Sequence, residues 1–101
     1  MDKISGLSFA TAKSNLKYQD RDDLLLITFA DLFSSAGLFT TSLTASPTIA
    51  HCRQIIKNQP RALLVNAGNA NCFTGQAGID AITAKTTNLA KLLELEADQI
   101  L

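Results

Sequence analysis

The chain has no tryptophan, a single histidine, two cysteines and no surplus of either charge. Each shortage removes a class of function. Nine basic residues offset nine acidic ones, so no net field gathers a phosphate backbone or an anionic lipid surface. Neither nucleic acid nor a membrane is therefore an expected partner. The longest apolar run, Leu24 to Phe29 with Ala30, falls far short of the roughly 20 residues that cross a bilayer. The opening Met1-Asp2-Lys3-Ile4-Ser5-Gly6 has no basic leader before a long apolar stretch, which sets the expectation of a cytoplasmic protein. One histidine and two distant cysteines supply too few converging ligands for a metal, and Cys52 and Cys72 read as free thiols.

What remains is ordinary globular material. With 101 residues, 47% hydrophobic and 18% charged, the chain is long enough for one compact unit, 1–101, that packs a core and is only marginally self-sufficient. Leu24-Leu25-Leu26-Ile27-Thr28-Phe29 has the length of a buried strand. The cluster Asp20, Arg21, Asp22, Asp23 ahead of it reads as a solvated turn from an earlier strand near 8–12. Ala36-Gly37-Leu38-Phe39-Thr40-Thr41 is a further strand candidate, rich in aromatic and β-branched residues, that would extend a hairpin or meander.

Ser46-Pro47 then predicts a helix start, with the serine side chain capping free N–H groups and proline at the first helical position. The helix spans 47–58, with Ile49, Cys52, Ile55 and Ile56 on its packed side, and Asn58-Gln59-Pro60 ends it. A strand at 61–66 and an amphipathic helix at 76–94 follow, the latter with Ile79, Ile82, Thr86, Leu89 and Leu93 along one stripe. Ile100-Leu101 reads as the first residues of another apolar strand, which sets the expectation of an incomplete amino-terminal portion of a larger layered domain. The fold class is thus α/β of the α+β type, a mixed or mainly antiparallel sheet packed with helices.

Chemistry is sparse. His51 and Cys52 are neighbours, but adjacent positions on a helix point roughly 100° apart, so the imidazole does not take the thiol proton. They read as a surface histidine beside a core cysteine. The least ordinary stretch is Val65 to Gly75, which joins a strand to a helix and carries two glycines, three asparagines and a threonine. Backbone N–H groups at such a junction can hold an anion or a carbonyl oxygen against the positive end of a helix. Asparagine side chains can equally close a tight loop with no ligand at all. Gly68 and Gly75 are too far apart for a P-loop, Gln76 stands where its lysine would be, and no G-x-G-x-x-G occurs, so a nucleotide site is not expected. Asn69, Asn71, Thr74 and Gly75 are the candidate substrate-binding residues.

Val65-Asn66-Ala67-Gly68-Asn69-Ala70-Asn71-Cys72-Phe73-Thr74-Gly75 resembles the "VNSGNANACTG" segment of the ornithine acetyltransferase family, the bifunctional glutamate N-acetyltransferases. Other segments agree in order: Asp23 to Thr28 is similar to "DLALI", Ala36 to Thr41 to "AAGVFTTN", Ala45-Ser46-Pro47 to "AAPV", and Arg61 to Asn66 to "RAIVVN". The resemblance implies a precursor that cleaves itself and exposes a threonine at the start of a second chain. That threonine would carry acetyl from N-acetylornithine to glutamate, and a threonine-glycine pair in a "STGVIG"-like segment would hold the oxyanion. Both lie beyond Leu101, so the resemblance implies no catalytic residue in this chain and no activity from it alone. It implies as partners the β chain of the same precursor and further copies, no bound cofactor, and acetyl-coenzyme A as an optional second acetyl donor. Two other readings compete with it: a small non-catalytic binding or assembly module of the same fold, and an unrelated α/β domain whose loop takes a carboxylate.

Overall fold

A computed structural model describes residues 3–30 and 34–101. Strand β1, Leu7–Ala12, runs antiparallel to β2, Leu24–Phe29, in a register from Leu7 opposite Phe29 to Ala12 opposite Leu24. Strand β3, Ala62–Asn66, pairs antiparallel with the other edge of β2, with Leu24 opposite Asn66 and Thr28 opposite Ala62. The order β1-β2-β3 places the most apolar strand in the centre, where both of its edges are hydrogen-bonded. Helix α1, Pro47–Ile55, precedes β3, and helix α2, Gly75–Leu93, follows it.

A short 3₁₀ turn, Ala97–Gln99, returns the chain to the free edge of β3, where Ile100 forms a parallel bridge with Ala62. Arg61 N donates to Gln99 O at 2.8 Å, Leu101 N to Ala62 O at 2.9 Å and Leu64 N to Leu101 O at 2.8 Å. These bonds hold Ile100 and Leu101 as an isolated parallel bridge on the edge of a three-stranded antiparallel sheet.

Side chains alternate between the two faces of the sheet. Leu26 and Ala62 share one face and pack with Ile100 against Ala90, Leu89 and Leu93 of α2, so the core lies between sheet and helix. Ala62 and Ile100 are fully buried. The opposite face carries Phe9, Ile27, Leu63 and Val65 by the same alternation, and there Phe9 is 57% and Val65 43% exposed. The unbroken apolar run of β2 is explained by these two faces, since an alternating strand would have offered only one.

Several expectations are corrected. Residues 36–41 form no strand. They run beside α1, with Arg53 donating to the Thr40 carbonyl and the Ser35 hydroxyl to the Ile56 carbonyl, so their polar groups find partners outside a ladder. Helix α1 ends at Ile55 rather than 58: Ile56 caps it, Asn58 N turns back to Ile55 O at 2.8 Å, and Gln59 adopts φ 54°. Ser46 stands at the cap position without a side-chain bond, and its carbonyl accepts from Ile49 N instead. On α2, Ile79 is 49% exposed and Ala90 is buried, so the packed stripe runs through Thr86, Ala90 and Leu93. Asp23 belongs to no solvated turn. It is buried, and accepts from Ser14 N and Ser14 Oγ at 2.6 Å each.

Candidate functional site

The asparagine loop is moored at both ends. Asn66 Nδ2 donates to Asn69 O at 2.9 Å, which tightens the exit from β3, and Ala67 N donates to Asp23 O at 2.8 Å. Gly68 sits at φ 81°, and a Cβ there would lie 2.3 Å from Cε2 of Tyr18. The Tyr18 ring therefore rests on the bare backbone of Gly68, with the Arg21 guanidinium 3.9 Å from its centroid. The connection between β1 and β2 thus buttresses the loop after β3. Asp23 fixes that connection: the Ser14 hydroxyl and then the Ser14 N–H hold its carboxyl below the ordinary aspartate value, against a smaller upward push from burial.

Further along, Asn71 and Thr74 spend their polar groups on each other and on α2. Thr74 Oγ1 donates to Asn71 Oδ1 at 2.5 Å, and Asn71 Nδ2 donates to Gly78 O at 3.0 Å. Gly78 is buried beneath this pair, and a Cβ there would meet Thr74 Oγ1 at 1.9 Å and Asn71 Oδ1 at 2.5 Å. The loop can close on the helix only because position 78 has no side chain.

Asn69, Asn71 and Thr74 line one cavity of about 190 Å³, floored by Ala77 and Gly78 and ended by Lys85. Gly75 does not join them. At φ 56° it opens α2 and borders a separate depression with Leu43 and Phe73. Asn71 and Lys85 also reach a smaller cavity of about 70 Å³, bounded by Thr48, His51, Leu64 and Leu101. No aspartate or glutamate side chain lines either space. Amides, hydroxyls and one ammonium can hold an anion or a polarised carbonyl.

The other polar residues fit no covalent chemistry. His51 is half-buried rather than on the surface, and its Nε2 lies 2.9 Å from Ile100 O, which makes that nitrogen the donor. Burial pushes the Cys52 thiol up, away from the reactive thiolate. Among the described residues no three histidine, cysteine, aspartate or glutamate side chains gather as a metal site. Sequence reading missed Gly78 and Lys85. A glycine inside a helix costs about 1 kcal/mol against alanine, and that cost was the one available signal for Gly78. Lys85 carries no local signal, because its place in the cavity depends on the loop folding back along three turns of helix.

An α+β unit with a mainly antiparallel sheet, one helical layer and a polar strand-to-helix loop is the class defined here. The same fold is found in the crystal structure of the arginine biosynthesis bifunctional protein from Bacillus halodurans, with TM-score 0.86, 22% identity, and coverage of 95% of this chain and 51% of that one. It also recurs in the Mycobacterium tuberculosis ornithine acetyltransferase complexed with ornithine, with TM-score 0.85, 24% identity, and coverage of 95% and 53%. Residues 8–101 match the ArgJ family, and the chain belongs to it. The arginine biosynthesis bifunctional protein ArgJ of Bartonella henselae is 40% identical over 100 residues, 95% of this chain and 24% of that protein. Its Brucella suis counterpart is 40% identical over 94 residues. The chain spans about a quarter of the length of the curated relatives it matches.

Proposed function

We propose that this chain is the amino-terminal segment of an arginine-biosynthesis acetyltransferase that moves acetyl from N-acetylornithine to glutamate. The observation that carries the reading is the family match over residues 8–101, together with 40% identity to relatives named for arginine biosynthesis. In the reaction, a threonine hydroxyl outside this chain attacks the acetyl carbonyl carbon. The amide C–N bond breaks, ornithine leaves as the amine with the hydroxyl proton, and a threonine ester remains. The amine of glutamate then attacks that ester, the new amide forms, and the hydroxyl is restored. The free amine of the nucleophilic threonine serves as the nearby base.

This chain supplies architecture and the loop of Asn69, Asn71, Thr74 and Gly75 beside the reacting centre. It has no turnover alone. The lack of an activated nucleophile among the described residues supports that division: Cys52 has a raised pKa and the His51 Nε2 is committed to Ile100. Self-cleavage of a precursor into two chains is supported by the shares of length. This chain covers 24% of a curated relative but 51% of a crystallised chain, a difference in chain length that a cleaved precursor would produce. The working enzyme is cytoplasmic and built from both chains in several copies, with no bound cofactor; acetyl-coenzyme A is a second donor to be tried in the same assay.

The test is reconstitution. The chain is co-expressed with the remainder of the Bartonella henselae relative, and acetyl transfer from N-acetylornithine to glutamate is followed while intact-mass spectrometry locates the acetyl group. Activity only in the pair, with acetyl on a threonine of the remainder, is the expected result. Turnover or an acetyl adduct on this chain by itself overturns the reading.

A further inference from the structure

We infer that the groove shared by Asn71 and Lys85 is a carboxylate-binding site, in which the Lys85 ammonium supplies the countercharge and the Asn69 carboxamide a second donor. The two cavities that meet at these residues contain one ammonium and no aspartate or glutamate, so an anion entering them gains a charge partner and meets no acidic side chain. Asn71 and Thr74 are already committed to each other and to the Gly78 carbonyl. Asn69 enters the loop's bonding through its backbone carbonyl, so its carboxamide is left for a guest.

Size narrows the guest. Spaces of about 190 and 70 Å³ lie below the range of drug-sized ligand sites, which excludes a nucleotide and suits an acid of amino-acid dimensions. The smaller space adds an apolar wall of Leu64, Ile82 and Leu101 for the aliphatic part of such a molecule. Gly78 completes the case, because any larger residue there would displace Thr74 and Asn71 and close the floor.

The choice of glutamate as a probe rests on the proposed function; acetate, the second probe, does not. The isotope-labelled chain is titrated with sodium acetate and with sodium glutamate at matched sodium chloride, and the amide resonances of Asn69, Asn71, Thr74 and Lys85 are followed. Both acids are expected to shift these signals. Lys85→Met is expected to weaken binding about tenfold, the loss of one charge-assisted hydrogen bond, whereas Lys85→Arg keeps it. Thermal melting of each variant confirms that the exposed substitution leaves the fold intact. Shifts with acetate alone, lost in Lys85→Met, support the carboxylate site and count against glutamate as the substrate. No shift with either acid, or an unchanged shift in Lys85→Met, overturns the inference.

Discussion

At position 78 the chain forgoes a good helix former inside a helix, and the reason is visible in the two oxygen atoms above it. Gly78→Ala gains about 1 kcal/mol of helix propensity. It also drives a methyl to within 1.9 Å of Thr74 Oγ1 and 2.8 Å of Thr74 Cβ, so the hydroxyl and the loop backbone must both move. Breaking the Thr74–Asn71–Gly78 chain of hydrogen bonds costs about 1–3 kcal/mol for the groups left unpaired. A net destabilisation of about 1 kcal/mol is expected, read as a lower urea midpoint, with changed amide shifts at Asn71 and Thr74; a stabilised variant with an unmoved loop would contradict this account.

Ser14 offers a second residue-level test. Asp23 has a lowered folded pKa because the Ser14 hydroxyl and N–H favour its ionised form. Stability from this contact is complete above the ordinary aspartate value of 3.8 and is lost as pH falls through the lower folded value. Ser14→Ala is expected to lower the unfolding midpoint at neutral pH, and the gap from the parent should shrink once Asp23 is protonated in both. A gap that stayed constant from pH 7 into acid would remove the carboxylate from the explanation.

Elements were legible where burial enforced them. The β2 run, the strand at 61–66 and the long helix were readable because continuous apolar runs and helical spacing reflect packing on a sheet. The segment 36–41 has the same β-forming composition and no strand structure, because propensity without a partner edge decides nothing. Three of the four candidate loop residues do come together, since asparagine and threonine density marks a loop rich in side-chain bonds. Lys85 and Gly78 needed the helix to be placed first. A pair of substitutions tests where the core lies. Ile100→Ala, at a fully buried site, is expected to cost about 3 kcal/mol, whereas Val65→Ala on the open sheet face costs less than about 1 kcal/mol. Equal costs would mean that the core does not lie between β3 and α2.

At the scale of the whole molecule, the two faces of the sheet are unequally covered. Helix α2 covers the face with Leu26 and Ala62, while Phe9 and Val65 stand exposed on the other. An exposed apolar sheet face in water is a site of association. The open faces of two copies are apolar surfaces available to each other. The isolated chain is therefore expected to associate as its concentration rises, measured by sedimentation velocity. Phe9→Ser combined with Val65→Thr should shift it toward monomer with little loss of melting temperature, because neither side chain belongs to the core of Ala62, Ala90 and Ile100. Association that survives both substitutions would move the sticky surface elsewhere, with Leu38 and Leu43, both fully exposed, as the next residues to change. A parent chain that stays monomeric at every concentration would show that this face is satisfied by water, and the case for association through it would fall.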